Sequence, residues 1–165
     1  MFGECHAHII MDGINYKEAI SLHKEAVNEE AIRRNFKAYQ EQGITFVRDG
    51  GDAYGVSERA RELAGEYGID YRSPIFAIHK RGHYGGIVGL PYDDHQGYRD
   101  LVKTAKLRGA DFVKIMISGI MEFDTFGKLT EEGLEADEIA YLIGTAHDAG
   151  LRVMAHGNGD AVAQA

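Results

Sequence analysis

Two histidines near the N-terminus have the spacing of a metal site. His6 and His8 are separated by one residue, in the N-terminal run from Phe2 to Ile10 that is predicted to form the first strand. Residues two apart on a β-strand point to the same face, so the two imidazoles would lie together while Ala7 points to the other face. Two such imidazoles can bind one divalent cation side by side. On spacing alone a structural pair is the commoner case, because short motifs often match by chance.

A lysine within an apolar run is the second candidate. Lys114 lies in the segment FVKIM, residues 112–116, where its side chain would be buried. A buried lysine is rare because an unpaired charge is costly to remove from water. Three roles remain open for Lys114: carboxylation to an anionic metal-bridging ligand, a Schiff base with a carbonyl substrate, or a structural ion pair with a core carboxylate.

A third histidine adds to the same pattern. His156 ends the run VMAH, residues 153–156, just before a Gly-Asn-Gly turn. A single histidine at a strand end is more often structural than ligating. However, these features fall on the first, fourth and fifth predicted strands and would emerge at the same rim. The combination predicts a metal site that contains His6, His8, Lys114 and His156.

The segment 79–86 is predicted to be a loop above this site. We interpret His83 and Tyr84 as substrate contacts, and Lys80 or Arg81 as side chains that could meet an anionic group. The alternative is a solvated, glycine-rich loop.

Four further charged residues are interpreted as structural. Arg48 and Asp49 end the second predicted strand and are expected to form a buried pair that shapes the site. Glu122 and Asp124 follow the fourth predicted strand. A general-acid role is open to both, but solvated loop carboxylates are their expected state.

The elements that must position these residues follow a repeated pattern. An amphipathic segment ends at a glycine and an apolar run follows at once, as at Gly43, Gly68, Gly109 and Gly150. Glycine just past a helix supplies a left-handed backbone conformation, and the apolar run is typical of a buried strand. Asn28 and Ser57 are predicted helix N-caps. The resulting β-α alternation predicts parallel strands joined by helical crossovers.

Two architectures satisfy this alternation, an open doubly wound sheet and a (β/α)8 barrel. The first strand lacks the glycine fingerprint of a dinucleotide-binding sheet, and long polar segments, 79–94 and 118–135, follow later strands. Barrel enzymes keep their chemistry in such segments, but a complete barrel takes about 250 residues. We therefore expect residues 1–165 to form a single truncated domain, a partial (β/α)8 TIM-type barrel with about five parallel strands that lacks the last strands.

Composition narrows the class of partner. The chain is 44% hydrophobic and 27% charged, with 18 Lys and Arg against 26 Asp and Glu, a formal charge of −8. This acidic balance argues against nucleic acid and against an anionic membrane surface as partners. The single Cys5 cannot form an internal disulfide, so a reducing, cytoplasmic setting is expected.

Four segments resemble the amidohydrolase superfamily, especially metal-dependent members similar to imidazolonepropionases and prolidases. These are GECHAH (3–8), GITFVRD (43–49), GADFVKIMISG (109–119) and RVMAHG (152–157). The resemblance implies that His6 and His8 hold the more buried metal and that carboxylated Lys114 bridges to a second metal bound partly by His156. It further implies hydrolysis of an amide or other C–N bond, in a non-peptide or dipeptide-like substrate, by metal-activated hydroxide. Zinc is the expected metal, in one or two ions, although manganese, iron and cobalt also suit these ligands.

The sequence also departs from the family. Members usually have another metal-binding histidine after strand six and an essential aspartate, the general acid/base, after strand eight. Neither position exists here, so the catalytic residue is unidentified and the isolated 165-residue chain is expected to be inactive.

Two other functions fit parts of the pattern. A metal-free Schiff-base lyase would use Lys114, but it gives the three histidines no joint purpose. A non-catalytic barrel fragment would associate with another chain, either a second copy or a complementing subunit. Unpaired edges at the first and fifth predicted strands would provide the contact.

Overall fold

The computed structural model describes residues 2–165, in which strands and helices alternate. The strands are β1 (Phe2–Ala7), β2 (Ile44–Asp49), β3 (Asp70–Arg72), β4 (Ala77–Lys80), β5 (Gly89–Tyr92), β6 (Phe112–Met116) and β7 (Arg152–His156). The helices are α1 (Tyr16–Ser21), α2 (Glu29–Glu41), α3 (Val56–Ala64), α4 (His95–Leu107), α5 (Ala136–Asp148) and α6 (Ala161–Gln164). The chain divides into two compact units, residues 1–76 and 77–165, and each contains one sheet. In the described part of the chain no helix is long and apolar enough to cross a membrane.

The first unit is a three-stranded parallel sheet in the order β1-β2-β3. Val47 pairs with Tyr71 in register, and both side chains are buried in one core with Ile32 and Phe36 of α2. Because side chains alternate along a strand, Phe46 and the residues at every second position from it in β2 point to the other face of the sheet.

The second unit is a four-stranded parallel sheet in the order β5-β4-β6-β7. The interior strand β6 is buried at all five positions, as its run of apolar residues, interrupted only by Lys114, predicts for a strand covered on both faces. The register aligns Lys114 with Ala77 on one side and with Met154 on the other.

The predicted parallel α/β alternation is confirmed, and so is the helix-ending pattern. The four glycines of that pattern all have positive φ: 73° at Gly43, 69° at Gly68, 84° at Gly109 and 78° at Gly150. Asn28 caps α2 as predicted, because its side-chain oxygen accepts a hydrogen bond from the Ala31 N–H at 3.0 Å.

Ser57 is not the N-cap of α3, which corrects the prediction. The helix begins at Val56, and the carboxylate of Asp52 accepts hydrogen bonds from the N–H groups of Val56 (3.0 Å) and Ser57 (2.6 Å). The acceptor therefore lies several residues upstream of the helix, where a search for an adjacent capping residue does not find it.

Residues 2–165 contain seven strands, which corrects the predicted number of about five. Strands β4 and β5 fall wholly or partly within the segment 79–94, which the sequence pattern predicts as a polar loop. Both have only four residues, and β5 contains Pro91, which disfavours a strand assignment. Proline lacks an N–H donor and is tolerated at a sheet edge, which is the position of β5 in its sheet.

Replacing Gly144 with alanine should stabilise the chain. Gly144 lies inside α5, and an added Cβ would meet no atom within 4 Å outside the helix itself. Since glycine is about 1 kcal/mol less favourable than alanine in a helix interior, we expect the free energy of unfolding to rise by roughly 0.5–1 kcal/mol. Urea unfolding measures the change. Gly150→Ala is the opposite control, because φ is +78° there and a side chain should destabilise the chain.

Candidate metal centre

The end of β1 presents two histidines on one face. Ala7 is buried in the core of the first unit, whereas His6 is exposed and His8 is half-buried. The ring centroids of His6 and His8 are 5.6 Å apart. Two imidazoles bound to one tetrahedral cation through metal–nitrogen bonds of about 2.1 Å would have centroids roughly 5 Å apart. The predicted shared face is present, and the spacing of the rings fits a shared cation.

The orientation of His8 is set by the loop after β2. Its Nδ1 lies 3.2 Å from the carbonyl oxygen of Gly51. Because a carbonyl oxygen can only accept, this bond assigns the proton to Nδ1 and the ring lone pair to Nε2. Metal-binding histidines commonly donate their second ring N–H to a backbone carbonyl in this way.

Gly50 leaves the space that the His8 ring occupies. A Cβ at this position would lie 2.3 Å from Cε1 and 2.6 Å from Nε2 of His8. These distances are well inside van der Waals contact, so the observed orientation of the imidazole requires glycine at position 50. The packing of His8 therefore explains why the residue directly after β2 is a glycine.

A cavity of about 380 Å³ adjoins the two histidines within the first unit. Its walls include His6, His8, Glu4, Asn35 and Tyr39. The Asn35 amide donates to the carbonyl oxygens of Ile9 and Met11, both at 2.9 Å, and so holds the segment that follows the histidines. The volume is within the range that small-molecule sites have.

Asp49 is fully buried, but Arg48 is not its partner. The guanidinium Nε of Arg48 donates to the carbonyl oxygen of Cys5 at 2.8 Å. Asp49 instead accepts hydrogen bonds from the backbone N–H groups of Ile9 (2.7 Å) and Gly51 (2.6 Å). Consecutive strand residues point to opposite faces, so the predicted Arg48–Asp49 pair does not form. Burial raises the pKa of Asp49 to about 6, and these two hydrogen bonds to the carboxylate oppose the rise.

In the second unit Lys114 and His156 share a face of the sheet. Lys114 is 0% exposed. It pairs with Met154, and Met116 pairs with His156, so alternation directs Lys114 and His156 to the same side. Burial lowers the pKa of His156, and the nearby charge of Lys114 lowers it further. The neutral imidazole, which is the form that binds metal, is therefore favoured at neutral pH.

His156 is also contacted by its own loops. Its Nε2 lies 3.3 Å from the carbonyl oxygen of Gly119 and 3.2 Å from the side-chain nitrogen of Asn158. The Asn158 amide donates to the same Gly119 oxygen at 2.9 Å. The turn after β7 is thereby connected to the segment after β6 at the position of His156.

His79 is a polar residue of this face that sequence analysis did not select. It is 7% exposed, and its Nδ1 lies 3.0 Å from the carbonyl oxygen of Lys80. Ala77 pairs with Lys114, so His79, two residues further along β4, faces the same side as Lys114. The signal was available: IFAIH, like VMAH, is an apolar run that ends in histidine.

Of the two predicted substrate contacts, Tyr84 lies beside a predicted metal ligand. The ring centroids of Tyr84 and His156 are 5.0 Å apart. One carboxylate oxygen of Glu131 accepts from the Tyr84 N–H at 2.5 Å and lies 3.7 Å from His83 Nδ1. The structure therefore brings Tyr84 to His156 and attaches the loop of His83 and Tyr84 to Glu131, while a substrate role for both stays a prediction.

The predicted cations of the same loop already have carboxylate partners. Lys80 Nζ lies 2.6 Å from Glu138, and Arg81 Nε lies 2.5 Å from Asp93. Each would have to leave its partner to meet an anionic substrate, which does not favour that interpretation. Glu122 is likewise paired, with Lys128 at 2.9 Å, and Asp124 is an exposed loop residue.

The four predicted metal residues divide between the two units, with His6 and His8 in the first and Lys114 and His156 in the second. Within residues 2–165 no three His, Cys, Asp or Glu side chains have the arrangement of a metal site. Within each unit the donor types suit a divalent cation: two neighbouring imidazoles in the first unit, and in the second a neutral strand-end histidine and a buried lysine that could be carboxylated. Their assignment to one centre stays a prediction.

No protein-family model and no curated protein matches the chain. Solved structures share its fold: an uncharacterized protein (TM-score 0.71, 25% identity, 99% of this chain), an amidohydrolase (0.69, 20%, 98%) and a Xaa-Pro dipeptidase with bound methionine in its active site (0.68, 15%, 98%). The chain spans 44% of the length of each of these three. The resemblance to the amidohydrolase superfamily is thus confirmed at the level of the fold.

Proposed function

We propose that this chain provides the metal-binding part of a hydrolase that cleaves an amide or other C–N bond in a small molecule. His6, His8, Lys114 and His156 would hold one or two divalent cations, with zinc as the expected metal. The observation that carries the proposal is the complete burial of Lys114 on a sheet face that also presents His156. When bound, a divalent cation lowers the pKa of coordinated water toward neutrality and polarises a substrate carbonyl.

The histidines are prepared for this role by their surroundings. The Nδ1–H of His8 donates to the Gly51 carbonyl, which leaves Nε2 as the ligand atom. Burial favours the neutral form of His156, so little free energy is needed to remove a proton before a cation binds.

Carboxylation would convert Lys114 from a cation into an anionic ligand. The ammonium loses one proton, and reaction of the neutral amine with carbon dioxide gives a carbamate and releases a second proton. A neighbouring divalent cation would then offset the negative charge of the buried carbamate.

Two further side chains support a substrate site near Lys114 and His156. His79 faces the same side of the sheet as Lys114, and its Nδ1 bond to Lys80 assigns the ring acceptor to Nε2. The Tyr84 ring packs beside His156 and could cover an apolar part of the substrate.

The metal content of the purified chain tests the proposal. We expect near-stoichiometric divalent metal in the parent and its loss in a His6→Ala/His8→Ala double variant, because two of the four ligands are removed. His147→Ala, at an exposed position near the end of α5, is the matched control and should keep the metal.

Two outcomes contradict the proposal. Metal that persists in the double variant would place the site elsewhere in the chain. A folded parent that binds no added zinc, yet is trapped on Lys114 by borohydride with a carbonyl compound, would instead favour Schiff-base chemistry.

A further inference from the structure

Two buried aspartates lie close together in the sequence at the end of β2, and they bind different parts of the first unit. Asp49 is 0% exposed and Asp52 is 2% exposed. Each carboxylate accepts three hydrogen bonds from the protein. A carboxylate is costly to bury, and its hydrogen bonds offset that cost. The donors of these bonds therefore indicate which part of the chain each aspartate holds in place.

Two of the three bonds of Asp49 are to residues around His8, and the third is to Ser57 of α3. Its Oδ2 accepts from the N–H of Ile9, the residue that follows His8, at 2.7 Å. Its Oδ1 accepts from the N–H of Gly51 at 2.6 Å and from the hydroxyl of Ser57 at 3.0 Å. Gly51 is the residue whose carbonyl oxygen lies 3.2 Å from His8 Nδ1. One carboxylate therefore connects the backbone beside His8 to the peptide that orients its ring.

A further bond closes the same arrangement. The Gly50 N–H donates to the carbonyl oxygen of Ala7 at 2.7 Å, so residues on both sides of His8 are attached to the segment 49–51. The His8 ring fills the space that a side chain at Gly50 would need. A shift of this segment would therefore move the acceptor and the wall of the His8 imidazole together.

We propose that Asp49 is a positioning residue for His8. It holds Ile9 and Gly51 so that the imidazole keeps its proton on Nδ1 and presents Nε2 as the ligand atom. This inference rests on the proposed function for the role of His8 as a metal ligand. The orientation of the His8 ring does not depend on it. Asp49 itself does not contact the cation or the substrate.

Asp52 provides a matched control within the same unit. Its Oδ1 accepts from the N–H groups of Tyr54 (2.6 Å) and Val56 (3.0 Å), and its Oδ2 accepts from the N–H of Ser57 (2.6 Å). Asp49 and Asp52 thus match in residue type, burial and number of bonds. They differ in that the carboxylate of Asp52 holds the start of α3 rather than the residues around His8.

The test compares Asp49→Asn with Asp52→Asn in the full chain. An asparagine amide replaces one acceptor oxygen with a donor, so each variant loses part of its hydrogen bonding at a similar cost in thermal stability. In metal-free protein, ¹⁵N NMR of the His8 ring should report the Nδ1–H tautomer in the parent and in Asp52→Asn, and a mixture of tautomers in Asp49→Asn. Zinc affinity should fall roughly 10- to 100-fold in Asp49→Asn and stay within about twofold in Asp52→Asn.

The two readouts separate the two hypotheses. An unchanged His8 tautomer in Asp49→Asn overturns the positioning role, whatever happens to zinc binding. A parent that binds no zinc, while Asp49→Asn still alters the tautomer, overturns the metal proposal and leaves Asp49 as the residue that orients His8. Equal effects of the two variants on both readouts would mean that general loosening of the unit, and not Asp49, is responsible.

A milder variant keeps the test decisive if Asp49→Asn does not fold. Ser57→Ala removes only the hydroxyl bond to Asp49 Oδ1. One such bond contributes about 0.5–1.5 kcal/mol, so we expect a smaller loss of zinc affinity, roughly 2- to 10-fold, with a partial change of tautomer. No change in either measurement would count against the proposal.

Discussion

Replacing Lys114 with methionine should weaken metal binding strongly without unfolding the chain. Structural zinc sites bind with about 10–16 kcal/mol shared among roughly four ligands, so the loss of one ligand should weaken binding about 100-fold. Methionine fills most of the lysine volume at this 0% exposed position. We therefore expect the free energies of unfolding of the metal-free variant and the metal-free parent to differ by less than about 1.5 kcal/mol. Isothermal titration with zinc and urea unfolding measure the two quantities.

Two other variants define how this result is interpreted. Lys114→Ala should also weaken metal binding. In addition it should lower the free energy of unfolding by about 2–5 kcal/mol, because the smaller side chain leaves a cavity beside β6. Lys103→Met, at an exposed position of α4, should change neither quantity. A different result would assign Lys114 to a structural ion pair: unchanged zinc affinity in Lys114→Met, together with a free energy of unfolding that falls by about 3–5 kcal/mol in the metal-free form.

Gly50→Ala should impair the His8 site at little cost to the fold. The added Cβ would lie 2.3 Å from His8 Cε1, and the imidazole is the group that can rotate away. Rotation breaks the bond from Nδ1 to the Gly51 carbonyl, which contributes only about 0.5–1.5 kcal/mol to stability. Because this bond orients the ligand, zinc affinity should fall roughly 10- to 100-fold.

Gly65→Ala is the control for this substitution. Gly65 has an ordinary helical φ of −60°, and a Cβ there would meet nothing within 4 Å, so zinc affinity should be unchanged. If Gly50→Ala binds zinc as the parent does, the orientation of His8 fixed by Gly51 is not the one used for metal binding.

The sequence alone predicted the features that depend on local rules. Helix ends at Gly43 and Gly109 follow from the conformational freedom of glycine, and the burial of Lys114 follows from the apolar residues around it. The shared face of His6 and His8 follows from the period of a strand. These inferences need only a few neighbouring residues, and the structure agrees with each.

Features that depend on the shape of a loop or on a distant contact do not follow from the sequence pattern. The acceptor for the start of α3 is Asp52, four residues before Val56, and its role depends on the shape of the intervening loop. The sequence suggests a pair between Asp49 and its neighbour, whereas its partner Ile9 lies 40 residues away. His79 ends an apolar run, but β4 has only four residues, and so short a run does not distinguish a strand from a loop. Of these three, the partner of Asp49 alone lies outside a local sequence window.

The position of β6 in its sheet also affects how fast Lys114 can react. This strand is interior, between β4 and β7, and none of its side chains is exposed. Backbone in such a position opens only in the rarest fluctuations of a domain, whereas edge strands and loops open often. Carbon dioxide or an aldehyde must reach the Lys114 amine through such openings. We therefore expect local opening of the sheet to limit the rate of covalent modification at Lys114. The exposed lysines of α4 should react much faster.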